Sequence, residues 1–182
     1  DYVANHVHEL HPVYQKHPNW ATNKYTADGR LNTQLWDEER LTTWFDTFMP
    51  TLELRNDTVA ELMSDSALVW ITEYDFDGFR HDATKHIPMN FTRLLTQKIR
   101  AASEDHVYQI GETYGSDELI ASYVGSGKVD AQFNFNLYDA AFEAFTQEGA
   151  TFDRLRKALE SSLTYYGHHH LMGNISGNQD KP

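Results

Sequence analysis

Short strand-like runs alternate with amphipathic helical segments along most of this chain, and this alternation constrains the fold most. The strand-like runs cover residues 76–82, 107–112, 129–135 and 170–176. Apolar residues recur at helical spacing over about residues 56–71, 88–102, 116–124, 137–148 and 152–166. Because strands that alternate with helices form parallel βαβ units, we predict an α/β fold with a parallel sheet.

The helical segments carry recognisable start and stop signals. Asn56 is a candidate N-cap of the first long helix, and Thr58 followed by Glu61 is an alternative capping box. In that helix the apolar face is predicted to include Val59, Leu62, Met63, Ala67, Trp70 and Ile71. Pro88 is expected to begin the next helix, and Gly125 and Gly167 are expected to end later ones.

Acidic residues close, or directly follow, three of the strand-like runs. These residues are Asp82, Glu112 and Asp180. A single acid at such a place is more often a helix cap or a surface charge, but acids on three units converge at the carboxyl edge of a parallel sheet. Arg80 lies two residues before Asp82, on the same face of its strand, and is expected to hold Asp82 ionised.

Carboxylates that share a pocket suit glycoside hydrolysis. One ionised carboxylate attacks or stabilises the sugar carbon, while a second, kept protonated, gives its proton to the leaving oxygen. A third stabilises the positive charge that develops on the sugar ring. The residue types at these strand ends therefore predict a carboxylate-based site.

Composition excludes several other classes of protein. The 182 residues carry a formal net charge of -12, which argues against a nucleic-acid partner, since that needs a basic surface. With no cysteine, disulfide scaffolds, zinc-thiolate sites and thiol catalysis are excluded, while the compartment is left open. No apolar run approaches about 18 residues, so no membrane span is predicted.

Two further groups of residues have structural interpretations. His168, His169 and His170 follow a helix stop and cannot all face one point, so we interpret them as surface-loop histidines rather than a metal site. Trp20, Trp36 and Trp44 are expected to pack within a loop-rich segment rather than to stack on sugars.

Four short motifs resemble, in order and spacing, the signatures of the alpha-amylase family, glycoside hydrolase family 13. They are DYVANH at 1–6, GFRHDATKH at 78–86, IGE at 110–112 and NQD at 178–180. The second motif is highly specific, and the resemblance extends over nearly the whole chain. It implies a (β/α)8 TIM barrel and cleavage or transfer of α-linked glucosyl groups with retention.

The resemblance also assigns roles to individual residues. Asp82 would be the nucleophile, Glu112 the general acid and then base, and Asp180 the stabiliser of the transition state. The expected substrate-binding residues are His6, Arg80, Lys85, His86 and Gln179, with Arg80 also orienting Asp82. An α-1,4-glucan such as starch or a maltooligosaccharide is the expected substrate. A glucanotransferase, a cyclodextrin-degrading enzyme and a non-catalytic glucan-binding relative remain as alternatives.

This sequence departs from the family pattern at two positions. Gln179 stands where the family usually has His, and a glutamine amide donates a hydrogen bond but carries no charge. Thr51 stands where calcium-binding members carry an Asp ligand, alongside the family Asn matching Asn5 and a backbone carbonyl at His86. Calcium prefers carboxylate oxygens, so the resemblance implies a weakened calcium site. It implies no cofactor for the chemistry itself.

The motifs also predict the domain organisation. Residues 7–50, here called the excursion, match a short form of the family's domain B, which follows the third barrel strand. The first and last motifs belong to the third and seventh strands, so we expect residues 1–182 to form a partial barrel of about strands 3 to 7. The remaining strands would come from the parent chain, because a barrel of this kind needs about 250 residues.

Overall fold

A parallel sheet lies at the centre of the protein. The structure is a computed structural model that describes residues 1–167 and 171–180. Its strands are β1 (Gly78–His81), β2 (Tyr108–Gly111) and β3 (Ala131–Gln132), in the order β1-β2-β3. Both pairings are parallel, with His81 opposite Gly111 and Gly111 opposite Gln132. The predicted parallel α/β arrangement is therefore confirmed.

Isolated bridges extend this sheet on both sides. Tyr2 forms a parallel bridge with His81, and Gly173 forms one with Phe133. Both partners come from the motif-bearing ends of the chain, which brings residues 1–6 and 171–180 alongside the sheet. The sheet edge that carries the acids is therefore assembled from five separate stretches of sequence.

The helices connect the strands and pack around the sheet. They are α1 (Pro12–Lys16), α2 (Asp57–Thr72), α3 (Met89–Ala102), α4 (Asp117–Ser122), α5 (Phe135–Thr146) and α6 (Asp153–Tyr166). Two 3-10 turns cover Pro18–Trp20 and Thr84–His86. Among the described residues, no helix has the length and apolar character needed to cross a membrane.

The first long helix shows which of the two cap signals operates. The Asn56 side chain accepts hydrogen bonds from the backbone N–H groups of Thr58, at 2.9 Å, and Val59, at 3.4 Å, so Asn56 is the N-cap of α2. The prediction that Leu62 and Trp70 lie on the buried face was wrong, since these residues are 39% and 43% exposed. The Trp70 ring packs instead against Tyr74 and Phe76, just beyond the helix.

A hydrophobic core joins α2 and α3 to the sheet. Its members are buried residues from the first motif, α2, β1 and α3, including Tyr2, Val59, Ala67, Phe79, Phe91, Leu95 and Ile99. Burial of such side chains is the main favourable term in folding. The core lies beneath the acid-bearing edge of β1 and supports it.

One expectation near the end of the chain differs from the structure, and another cannot be compared with it. The described part of the run predicted as a strand at 170–176 forms only the bridge at Gly173. The Asn174 N–H bonds back to the Met172 carbonyl at 3.1 Å, so the backbone turns and does not extend a ladder. His168, His169 and His170 lie outside the described residues.

Two glycine stop signals have different outcomes. Gly167 is the C-cap of α6, with φ of 66°, as predicted. Gly125 is not the stop of the preceding helix, because α4 ends at Ser122 with Tyr123 as its C-cap. Gly125 instead lies in a turn with φ of 124°, where its N–H bonds to the Val129 carbonyl.

The excursion contains little regular structure. Beyond α1 and the first 3-10 turn it is held by isolated bridges, among them Thr33 with Trp44 and Asp46 with Met49. Trp44 is buried, and its indole N–H donates to the Thr22 carbonyl at 3.1 Å. Trp44 therefore packs inside the excursion, as the sequence predicted.

Candidate active site

The sheet places two acids side by side at its carboxyl edge. Asp82 directly follows β1 and Glu112 directly follows β2, and the preceding residues, His81 and Gly111, are paired in register. Asp180 reaches the same place from the 171–180 segment. All three acids line one cavity of about 620 Å³, together with the predicted substrate-binding residues His6, Lys85 and His86.

A single arginine links the two strand-end acids. One guanidinium nitrogen of Arg80, Nη1, donates to Asp82 at 2.7 Å, and the other, Nη2, lies 2.7 Å from Glu112. Nη1 also bonds to Asp1 at 2.8 Å. The expected Arg80–Asp82 contact is therefore present, and the additional contact with Glu112 ties both acids to one cation.

The Glu112 carboxyl has an environment suited to holding a proton. Burial raises its pKa, and the nearby Asp82 charge raises it further. The Ala83 backbone N–H, which donates to Glu112 at 3.2 Å, and the Arg80 guanidinium act in the opposite direction. Ala83 adopts a left-handed backbone conformation, with φ of 49°, directly after Asp82. This turn points an N–H at the neighbouring acid.

Two histidines line the cavity as neutral rings. Burial lowers the pKa of His6, against the opposing effect of the Asp82 charge. Burial also lowers the pKa of His86 to about 4, and a hydrogen bond to the Arg40 carbonyl only partly offsets this. His6 stacks on Phe45 at a centroid distance of 4.2 Å. Both rings therefore present hydrogen-bonding nitrogens in an aromatic setting.

Residues of the excursion form one wall of the cavity. Trp36, Phe45 and Met49 line it, and the Lys85 ammonium forms an ion pair with Asp37 there. Trp36 packs edge-to-face against Phe45 within the excursion, as expected, and against His86 from the loop after β1. Its place on the cavity wall was not part of that expectation.

Tyr114 and Phe45 are among the cavity residues that sequence reasoning missed. Tyr114 lies two residues after Glu112 and stacks on Phe135 at 4.0 Å. Its spacing from Glu112 was a usable signal, because alternate residues of an extended chain share a face. Phe45 had no comparable signal.

Gln179 lies beside the cavity rather than on it. It lines a neighbouring cavity with Asp1, Arg80, Phe133 and Asn178. Its side-chain amide donates to Asp180 at 3.2 Å. Gln179 and Asp180 lie in a bend, where the Asp180 N–H donates to the Asn178 side chain at 3.0 Å, and their side chains line different cavities. The sugar-binding role predicted for Gln179 stays a prediction.

The donor set around Asn5 does not fit calcium. The side-chain oxygen Oδ1 of Asn5 is buried and has no hydrogen-bond partner among the described residues. This is the one feature that an oxygen ligand of a metal would share. However, the Thr51 hydroxyl replaces a carboxylate and donates to the Thr43 carbonyl at 2.6 Å. The Arg40 guanidinium binds the Lys85 carbonyl, next to the expected carbonyl ligand of His86. No cluster of acids or histidines with metal-binding spacing occurs in residues 1–167 and 171–180.

The fold and this cavity define a class of protein: α/β-barrel proteins with a carboxylate-lined site at the carboxyl ends of parallel strands. The profile described as "Alpha amylase, catalytic domain" matches residues 1–182. The chain belongs to the alpha-amylase family.

Individual relatives agree with this assignment. A cyclomaltodextrinase from Geobacillus thermopakistaniensis is 29% identical, with 100% of this chain and 32% of the relative covered. An alpha-amylase from Schizosaccharomyces pombe is 30% identical, with 83% and 24% covered. The chain thus spans about a third or less of the length of these curated relatives.

Solved structures support the fold. The alpha-amylase of Geobacillus thermoleovorans, complexed with acarbose, matches with a TM-score of 0.79 and 26% identity, over 96% of this chain and 38% of that one. An Anoxybacillus alpha-amylase matches with a TM-score of 0.83 and 24% identity, over 99% and 39%. The sheet and helices described above therefore form part of a (β/α)8 TIM barrel, as predicted.

Proposed function

We propose that this chain carries the catalytic site of a retaining glycoside hydrolase that acts on α-1,4-glucans. The observation that carries the proposal is the sharing of Arg80 by Asp82 and Glu112 on the wall of one cavity. Retaining enzymes need two carboxyl groups only about 5–5.5 Å apart, whereas inverting enzymes separate them by about 6.5–9.5 Å. Two carboxylates on one guanidinium favour the closer arrangement.

In the first step, Glu112 donates its proton to the glycosidic oxygen while the Asp82 carboxylate attacks the anomeric carbon. The bond to the leaving sugar breaks, and a covalent glycosyl ester forms on Asp82. Asp180, on the same cavity, stabilises the positive charge that develops on the ring. In the second step, Glu112 takes a proton from water, the water oxygen attacks the anomeric carbon, and Asp82 is released.

The electrostatics support this division of roles. Burial raises the pKa of Glu112, which keeps a proton available for the leaving oxygen. Arg80 donates a hydrogen bond to Asp82 at 2.7 Å and orients its carboxyl group on the cavity wall. The steps require only carboxylates and water, so we propose that the chemistry needs no cofactor.

Sugar binding is proposed to involve the other residues on the cavity. His6, Lys85 and His86 present hydrogen-bonding groups, and the rings of Trp36 and Tyr114 present apolar surface. This mixture of polar groups and rings suits a neutral sugar polymer. The acidic net charge is compatible with such a substrate.

The test is replacement of each acid in the full-length protein. Asp82→Asn and Glu112→Gln should each lower kcat on maltoheptaose by about 10³-fold or more, because each removes a group that acts on the reacting atoms. Asp28→Asn, an exposed acid of the excursion, is the matched control and should leave turnover unchanged. Proton NMR of the first product should show the α-anomer. Normal turnover by Asp82→Asn, or a β-anomer, contradicts the proposal.

Cyclic substrates and glucosyl transfer remain to be separated from simple hydrolysis. The relatives include a cyclomaltodextrinase and a cyclomaltodextrin glucanotransferase. Product analysis on amylose, cyclodextrin and maltotriose distinguishes these activities. Calorimetry with maltoheptaose addresses the third alternative: binding without turnover would indicate a non-catalytic glucan-binding protein.

A further inference from the structure

Arg40 joins the excursion to the loop that follows β1. Its guanidinium Nη1 donates to the Lys85 carbonyl and to the Tyr123 hydroxyl, the latter at 2.7 Å. Its own backbone carbonyl accepts a hydrogen bond from Nδ1 of His86 at 2.7 Å. One residue of the excursion therefore contacts two consecutive residues that carry cavity side chains.

The buried Tyr123 completes this network from the other side. Tyr123 follows α4, is 2% exposed, and donates its hydroxyl hydrogen to the Ile87 carbonyl at 2.7 Å. A phenol hydroxyl has one hydrogen, so it accepts from Arg40 while it donates to Ile87. The loop over Lys85, His86 and Ile87 is thus held between a residue of the excursion and a residue behind the sheet.

The contact with Arg40 determines the tautomer of His86. A carbonyl oxygen only accepts, so Nδ1 of His86 must carry the hydrogen. The His86 residue is 7% exposed and enclosed by aromatic side chains, a setting that disfavours a charged imidazolium. A neutral imidazole with hydrogen on Nδ1 has its acceptor lone pair on Nε2. Trp36 and Phe45 meet the ring edge-to-face, at centroid distances of 5.5 and 5.1 Å, and fix its plane.

We propose that Arg40 is a positioning residue for sugar binding: it holds the excursion against the loop after β1 and keeps His86 as the Nδ1–H tautomer, which offers Nε2 as a hydrogen-bond acceptor to a glucosyl hydroxyl. This inference rests on the proposed function, because the ligand is a glucan. The residues around Asn5 do not fit calcium. We therefore assign to the Arg40 guanidinium the role of holding the excursion against the loop after β1.

The effect of Arg40 should fall on binding rather than on bond cleavage. The two acids are held by Arg80, from the strand β1, and by the Ala83 N–H. Arg40 instead acts on the loop that carries Lys85 and His86. An interaction made equally in the ground and transition states changes KM and leaves kcat nearly unchanged.

The experiment compares variants of the full-length protein on maltoheptaose. Arg40→Met, which keeps an unbranched apolar side chain but removes the charge and the donors, should raise KM about tenfold and change kcat less than about twofold. Arg40→Lys retains a positive donor and should restore KM most of the way. Arg30→Met is the matched control, because Arg30 is an exposed arginine of the same excursion. The KM of Arg30→Met should equal that of the wild type.

Nitrogen-15 NMR of histidine reads the tautomer directly. The His86 signal, identified by its loss in His86→Gln, should show a protonated Nδ1 in the wild type. Arg40→Met keeps the backbone carbonyl but loses the guanidinium contacts that hold this carbonyl against Nδ1, so it should show a mixed tautomer. Tyr123→Phe, which removes one oxygen, should shift KM and the tautomer in the same direction and covers the case in which Arg40→Met fails to fold.

The outcomes separate the inference from the proposed function. An unchanged KM in both Arg40→Met and Tyr123→Phe, a fall in kcat alone, or an unprotonated Nδ1 in the wild type would overturn the role of Arg40. If the wild type does not turn over maltoheptaose, the proposed function fails, and the tautomer comparison still decides whether Arg40 positions His86.

Discussion

Replacing Arg80 with Gln removes the only positive charge that the structure places against both strand-end acids in the described part of the chain. Arg80 lies 2.7 Å from Asp82 and 2.7 Å from Glu112, and all three side chains are largely buried, at 19%, 22% and 8% exposed. The Arg80→Gln variant therefore leaves two neighbouring carboxylates without their counter-charge in a poorly solvated place.

The size of the effect follows from this geometry. Removing one partner of a buried ion pair typically costs about 3–5 kcal/mol, since the remaining charge stays desolvated. We expect Arg80→Gln to lower the free energy of unfolding by about that amount at pH 7. The like-charge repulsion between Asp82 and Glu112, now unscreened, acts in the same direction.

The loss of unfolding free energy in Arg80→Gln should depend on pH in a defined direction. Burial raises the pKa of Glu112 above its usual 4.5, and the Arg80 guanidinium opposes this rise. Without Arg80, the folded protein holds the Glu112 proton more tightly still. A carboxyl whose pKa is raised on folding stabilises the protein at low pH and loses that contribution as pH rises through the raised pKa. The difference in unfolding free energy between the variant and the wild type should therefore be small near pH 4 and increase as pH rises.

Urea unfolding of the full-length protein at pH 4 and pH 7 measures the loss of unfolding free energy and its dependence on pH. Arg30→Gln is the matched control, because Arg30 also contacts two carboxylates at 2.7 Å, those of Asp28 and Glu38, but on the exposed surface. Exposed ion pairs contribute little, so Arg30→Gln should unfold like the wild type. If Arg80→Gln loses no more stability than Arg30→Gln at pH 7, or loses the same at both pH values, the reasoning is refuted.

Two further predictions concern the site, and a third concerns the α2 cap. Gly111→Ala should destabilise the protein by about 1–3 kcal/mol and lower kcat, because the new Cβ would lie 2.5 Å from the buried Gln132 amide and 2.8 Å from the Thr84 hydroxyl. Gly115→Ala should be nearly neutral by thermal melting and turnover, because its one close contact, at 2.9 Å, is with the end of the flexible Leu119 side chain. The basic limb of the kcat/KM profile should follow the raised pKa of Glu112 on maltoheptaose and disappear on α-maltosyl fluoride, whose leaving group needs no proton; a basic limb on both substrates would contradict the assignment. Asn56→Ala should cost about 1 kcal/mol in urea unfolding through loss of the α2 cap, whereas an equal loss from Thr58→Ala would favour the capping box.

The sequence allowed prediction of the parts of the site that depend on local order. Asp82 and Glu112 follow hydrophobic strands, and parallel pairing brings the ends of such strands to one edge. Their convergence therefore needed only the alternation of strands and helices. The extent of each strand was less predictable: β3 covers Ala131–Gln132, whereas the pattern indicated 129–135, because Asn134 instead caps the next helix.

Contacts between distant parts of the chain were not predictable in this way. Arg40 and Tyr123 are 83 positions apart, and Phe45 meets His86 only because the excursion bends over the sheet edge. The periodicity of the local sequence does not identify such residues, because their contacts depend on segments that are distant in the chain. The same reason explains why Trp36 was assigned to packing although it lines the cavity.

The proposed division of work between the two acids rests on burial more than on their partners. Asp82 and Glu112 share the same guanidinium at the same distance, so Arg80 alone does not distinguish them. Glu112 is the more enclosed side chain, at 8% against 22% exposed, and desolvation is the largest cause of its raised pKa. The turn at Ala83 contributes to this enclosure, since its backbone N–H donates to Glu112 at 3.2 Å. A substitution that exposes Glu112 to water while every charge is retained should therefore impair proton donation by Glu112 more than nucleophilic attack by Asp82.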